Sequence, residues 1–77
     1  IGKMKVNAEL KKDLQRNFEI KQDGVKRKHS YFSPMPEDVC RAELQAVLRG
    51  EQEVPLRVIR AIAKVAQRPV STYLGGE

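Results

Sequence analysis

Residues 37–68 read EDVCRAELQAVLRGEQEVPLRVIRAIAKVAQR, and this stretch decides the fold. Pro36 can occupy the first turn of a helix that runs through Cys40 to Arg49. Glu37 and Asp38 then lie where the positive end of the helix dipole favours acidic groups. Cys40, Leu44, Val47 and Leu48 share one side and belong to the core, while Asp38, Arg41, Ala42, Gln45 and Arg49 share the other. Gly50 is a natural C-terminal stop. After the polar connector Glu51-Gln52-Glu53, Val54-Pro55 opens a second helix that runs to about Gln67. It buries Leu56, Ile59, Ile62, Ala63 and Ala66, broadened by Val58 and Val65, which makes it the most hydrophobic element of the chain.

Working outward, Arg68-Pro69 ends that helix, and Val70 to Leu74 reads as a last turn whose Tyr73 and Leu74 fold back before the tail Gly75-Gly76-Glu77. On the other side, Pro34 and Pro36 force extended backbone before them, so a new element starts there. From Val25 to Phe32 a dense positive cluster precedes two aromatics with no clean period of either kind. Asn7 to Ile20 reads as the first helix, capped by Asn7, with Val6, Leu10, Leu14 and Phe18 on one face and the turn signal Asp23-Gly24 after it. Ile1 to Lys3, ahead of the nearest methionine Met4, reads as a tag or linker remnant and stays outside the fold. The expectation is an all-α fold, a compact bundle of roughly four or five short helices in one domain spanning 4–74.

Composition bounds the function. A chain of 77 residues with 40% hydrophobic content can build one modest core. The charged share of 32% and the mean hydropathy of −0.55 exclude an apolar membrane span. Cys40 is the only cysteine, so no internal disulfide forms, which points to a cytoplasmic setting. A net charge of +5 and a pI near 9.7 favour a polyanionic partner.

Catalytic and metal chemistry find no constellation. Nucleophilic catalysis needs a base within reach of the nucleophile, yet Cys40 falls on an apolar helix face and reads as buried, while His29 sits in the basic cluster. One Cys and one His do not make a tetrahedral zinc set, and no glycine-rich phosphate loop is present, so no cofactor is expected. Glu37 with Asp38, and Glu51 with Glu53, are explained by helix-terminal charge and a solvated connector. The chain therefore reads as a binding module and not an enzyme.

What remains is patterned positive charge. Arg41, Gln45 and Arg49 are spaced for one helix face, and Arg and Gln are the side chains that fork onto guanine and adenine edges in the major groove. Arg57, Arg60, Lys64 and Arg68 follow with no acidic residue between Val54 and Val70, a composition suited to phosphates. The cluster Lys26, Arg27, Lys28 and His29 can grip a backbone, and Tyr31 and Phe32 beside it could equally stack on unpaired bases of RNA or single strands.

The residues from Arg41 to Leu74 resemble the later helices of the lambda-repressor-like helix-turn-helix family. Leu48-Arg49-Gly50 matches the end of that family's recognition helix, Val58 to Ala63 matches the helix after it, and Ser71 to Leu74 matches the small-polar-leucine segment beyond. The resemblance implies that the helix ending at Arg49 enters the major groove, with Arg41, Gln45 and Arg49 facing DNA and Arg57 near the backbone. Between Val25 and Pro36 the glutamine, leucine-alanine pair and glycine turn of the family's second helix are missing. A fainter resemblance links Lys3-Met4-Lys5-Val6 and the first helix to the strand-then-helix opening of ribbon-helix-helix repressors.

The expected function is a non-catalytic, sequence-specific DNA-binding domain of a transcription-regulator type, either monomeric or a homodimer. Base contacts fall to Arg41, Gln45 and Arg49. Phosphate contacts fall to Arg57, Arg60, Lys64, Lys26, Arg27 and Lys28. The alternative from another class is a helical adaptor whose basic surface binds an acidic protein.

Overall fold

The computed structural model describes residues 2–22 and 30–75. Strand β1 (Lys3–Lys5) leads to helix α1 (Ala8–Asn17), then to strands β2 (Glu19–Gln22) and β3 (Ser30–Ser33). Helix α2 (Arg41–Leu48), strand β4 (Glu53–Pro55), helix α3 (Leu56–Ala66) and a 3-10 turn at Val70–Thr72 complete the order. The described residues thus form a small mixed fold of three helices and two antiparallel two-stranded sheets, which overturns the all-α expectation.

The first departure comes at Phe18. Asn7 caps α1 by accepting from the Glu9 N–H at 3.0 Å, and Leu10 and Leu14 are buried as their spacing demands. At Phe18 the backbone turns extended, with φ −119° and ψ 143°, so the helix stops before Ile20. The local pattern explains the switch: Phe18 and Ile20 point inward, while Glu19 and Lys21 are exposed, an alternation of period two. Four residues of β2 pair with β3, Ile20 opposite the buried Phe32 and Lys21 opposite the exposed Tyr31. This ribbon occupies the place in the chain where a scaffold helix would stand in an all-helical helix-turn-helix, and its β3 strand packs on α2. The Asp23-Gly24 turn signal lies outside the described residues.

The second departure is the start of α2. Pro36 does not open the helix; Glu37 and Asp38 form a turn, Val39 anchors it in the core, and Cys40 is the extended residue before the first helical one. Cys40 is exposed and not the buried core residue its spacing predicts, because it sits at the cap and outside the helical stripe. The Glu43 carboxylate accepts from the Cys40 N–H at 3.0 Å and closes the helix start. At the other end Gly50 takes φ +97°, and the Gly50 and Glu51 N–H groups return to Val47 and Ala46 carbonyls at 2.9 and 3.0 Å.

Val54 and Pro55 belong to β4 and not to the last helix. Their strand pairs antiparallel with β1, Met4 facing Val54 and Lys5 facing Glu53. Lys3 is part of that pairing and so belongs to the fold. This strand meets another segment of its own chain, unlike the strand of a ribbon-helix-helix protein, which pairs between chains. Helix α3 packs Val58, Ile59, Ile62 and Ala63 into the centre and ends where Gln67 adopts a left-handed conformation at φ 60°.

Two ends of the chain are joined by α1. Leu74 bridges Val6, and the Asn7 N–H donates to the Tyr73 carbonyl at 2.9 Å. The Asn7 side chain donates to the Thr72 carbonyl at 3.0 Å. Tyr73 is fully buried, and its hydroxyl donates to the Asp13 carboxylate at 2.6 Å. Arg68 and Arg16 donate to the same carboxylate at 2.8 and 2.9 Å. Burial pushes the Asp13 carboxyl up, but the hydrogen bonds from Tyr73, Arg68 and Arg16 outweigh it and hold the group below the usual carboxylate range. Burial, and then the Asp13 bond, push the Tyr73 phenol well above its usual range.

Because the carboxyl is depressed on folding, its stabilisation is complete above the ordinary Asp value of about 3.9 and is lost as pH falls through the lower folded value. The phenol contributes in the opposite sense, fully below about 10 and lost as pH rises. Tyr73→Phe should cost roughly 2 kcal/mol at neutral pH, as expected for a hydrogen bond to a charged group. In thermal melts followed by circular dichroism that corresponds to a midpoint lower by on the order of 10 °C. The deficit should shrink at pH 2. An unchanged midpoint at neutral pH would remove Asp13–Tyr73 as the lock between the ends.

Candidate nucleic-acid interface

Helix α2 turns by about 100° per residue, so steps of four advance about 40° and Arg41, Gln45 and Arg49 occupy one sector of it. Leu44 and Val47 are buried on the opposite side. Arg49 is exposed, whereas Arg41 and Gln45 are half-buried. The Arg41 guanidinium lies over the Tyr31 ring, 4.8 Å from its centroid, so the ribbon braces the start of the helix. The three residues singled out for base contact are therefore brought together, with Arg41 on the flank that meets the ribbon.

The other flank of α2 meets α3. Glu43, the one acidic residue of α2, accepts a two-pronged contact from Arg57, with Nη1 donating to Oε1 at 2.8 Å and Nη2 donating to Oε2. Nη1 also donates to the Asp38 carbonyl at 2.7 Å, which ties the proline-rich segment to both helices. The Arg57 guanidinium holds the Glu43 carboxyl down at about 2, against the opposing push of partial burial. Arg57, expected at a phosphate, is thus engaged by Glu43 and the Asp38 carbonyl at the surface. Its pairing cancels the negative charge that α2 would otherwise carry toward a polyanion.

Arg60 and Lys64 follow Arg57 along α3, both exposed, and no ion pair engages them among the described residues. With Pro34, Met35 and Pro36 they border an open groove, whose rim also carries Glu37 and Asp38. The positive charge of this groove is consequently mixed, and Arg60 and Lys64 form a second cluster separate from the Arg41 sector. Lys26, Arg27, Lys28 and His29 lie outside the described residues. Phe32 is buried and unavailable for stacking, whereas Tyr31 is 49% exposed.

Sequence reasoning missed the bracing role of Tyr31 and the neutralising role of Arg57. The first signal was the alternation from Glu19 through Lys21, which sets the ribbon and turns Tyr31 outward. The second was Glu43 at the third helical position, the usual partner of a cap. Among the described residues no group of three or more His, Cys, Asp or Glu could hold a metal ion. No helix among them is long and apolar enough to cross a membrane.

The clamp predicts a titration. The Glu43 side-chain carboxyl, followed by carbon-detected magnetic resonance, should titrate at about 2 in the native chain. In Arg57→Met it should return to the ordinary glutamate range of about 4.3. Identical titration in the two chains would mean that Arg57 does not hold Glu43 in solution. Comparison with protein-family models, with curated proteins and with solved structures gives no match, so the functional reading rests on these residues alone.

Proposed function

We propose that the chain is a non-catalytic module that binds double-stranded DNA, with the outward sector of α2 as its reading surface. The observation that carries this reading is the disposition of charge on that helix. Its acid, Glu43, is cancelled by Arg57, while Arg41 and Arg49 stand on the sector away from the core. A helix of this width fits the major groove, where Arg forks onto guanine and Gln onto adenine. Arg60 and Lys64 supply a sequence-independent attraction to phosphates. The local resemblance of Arg41 to Leu74 to the later helices of the lambda-repressor-like family supports the same use of α2, as part of a transcription regulator. A cytoplasmic setting goes with this reading, since the exposed thiol of Cys40 suits a reducing compartment.

A second reading draws on the exposed Met35 beside Arg60 and Lys64. An apolar side chain next to two cations is the surface an acidic protein segment would meet. The two readings part on DNA binding and its dependence on salt.

Titration of the chain against mixed-sequence duplex DNA should give binding that falls steeply between low and raised salt. Lys64→Ala should weaken all duplexes alike and reduce the salt slope by about one. Arg49→Ala should cost about 1 to 3 kcal/mol on a preferred site selected from a randomised duplex library, with little effect on mixed sequence. Absence of binding at low salt would overturn the DNA reading and turn attention to the acidic-partner surface.

A further inference from the structure

The ribbon adds something that the charge pattern of α2 does not contain. Tyr31 stands on the outward face of β3, opposite Lys21, while its neighbour Phe32 and the facing Ile20 hold the ribbon against the core. Nearly half of Tyr31 is exposed, a notable position for a large aromatic side chain. What covers it is the Arg41 guanidinium, 4.8 Å above the ring. Among the described residues, the ring of Tyr31 is the contact of that guanidinium.

We propose that Tyr31 is a positioning residue for Arg41: the ring holds the guanidinium at the entrance of α2 so that its N–H groups fork onto a guanine of the bound duplex. This inference rests on the DNA-binding reading and adds to it a specificity determinant outside the helix. The physical basis is the cost of ordering. An unrestrained arginine loses the freedom of a long side chain when it makes a paired contact, whereas one already stacked on an aromatic face has given up most of that freedom in the free protein. Stacking leaves the donors untouched, because it uses the face of the guanidinium and base recognition uses the edge. The ribbon is pinned by Phe32 in the core, and the position of Arg41 is therefore set by two elements and not by one.

The test compares Tyr31→Leu, Tyr31→Phe and Arg41→Ala with the native chain. Each is titrated against a preferred site selected from a randomised duplex library, against that site changed at each base pair, and against mixed-sequence duplex. Tyr31→Leu should lower the preference for the selected site by about fivefold, the size expected for an exposed cation–π contact. The loss should fall at the same base pair that Arg41→Ala relaxes, and mixed-sequence binding should stay as in the native chain. Tyr31→Phe, which keeps the ring, should restore the preference. In the free native chain the Arg41 side-chain protons should show an upfield ring-current shift that disappears in Tyr31→Leu and persists in Tyr31→Phe. Absence of that shift overturns the proposal, as does equal weakening of all duplexes or no change in preference in Tyr31→Leu. Failure of the native chain to bind any duplex is a different result: it overturns the DNA-binding reading itself, and this proposal with it.

Discussion

The buried carboxylate of Asp13 joins α1 to the C-terminal segment of the fold. A negative charge at 2% exposure is tolerable only with partners, and it has three, drawn from its own helix and from the far end of the chain. Tyr73 and Arg68 reach it only if α3 ends where Gln67 ends it and if the 3-10 turn folds back over α1. The Asn7 side chain, capping α1 on one side and holding the Thr72 carbonyl on the other, makes the same connection a second time. With the two ends joined, β1 is brought beside β4, and two three-residue strands that would be unstable alone pair, with Val54 of β4 buried in the core and β1 exposed.

The same economy runs through the charges. The buried Asp13 and the half-buried Glu43 are answered by arginines that reach in from the surface: Asp13 by Arg16 and Arg68, Glu43 by Arg57. Two acids thus engage three arginines, and the rest of the net charge of +5 is expressed by other side chains that point to solvent. Arg49, Arg60 and Lys64 are of this kind. Arg41 is intermediate, half-buried and set over the Tyr31 ring. A count of basic residues along the sequence treats all of these as equivalent, and the structure separates them by what each one touches.

The mixed architecture has a local cause and a non-local one. Locally, Phe18 ends a helical period and begins an alternating one, and the residues from Glu19 to Lys21 carry that alternation plainly. A strand, however, is stable only when paired, and its partner Ser30–Ser33 is recognisable by register and not by composition. β1 and β4 are harder still. Lys3-Met4-Lys5 has too few residues for an alternation to show and is suggested as a strand only by the fainter resemblance, while Glu53-Val54-Pro55 reads as a connector and a helix start. Their pairing is decided between segments distant in sequence.

Local spacing is enough to define the three apolar faces and the stops between them: Leu10 and Leu14 in α1, Leu44 and Val47 in α2, Val58, Ile59, Ile62 and Ala63 in α3, Gly50 after α2 and Pro69 after α3. It also determined that Arg41, Gln45 and Arg49 share a sector, because helical spacing fixes that angle whatever surrounds the helix. Tertiary structure alone decided where α2 begins, since Pro36 is compatible with a first helical turn and only the anchoring of Val39 and the Arg57 bond to the Asp38 carbonyl place the start at Arg41. It also decided which cations are spent and which are displayed. Arg57 and Arg60 differ by three positions on one helix and are alike in composition and local context, but Glu43 lies within reach of the first. Helical and strand periods are properties of neighbours in sequence; ion pairs and strand partners are properties of neighbours in space.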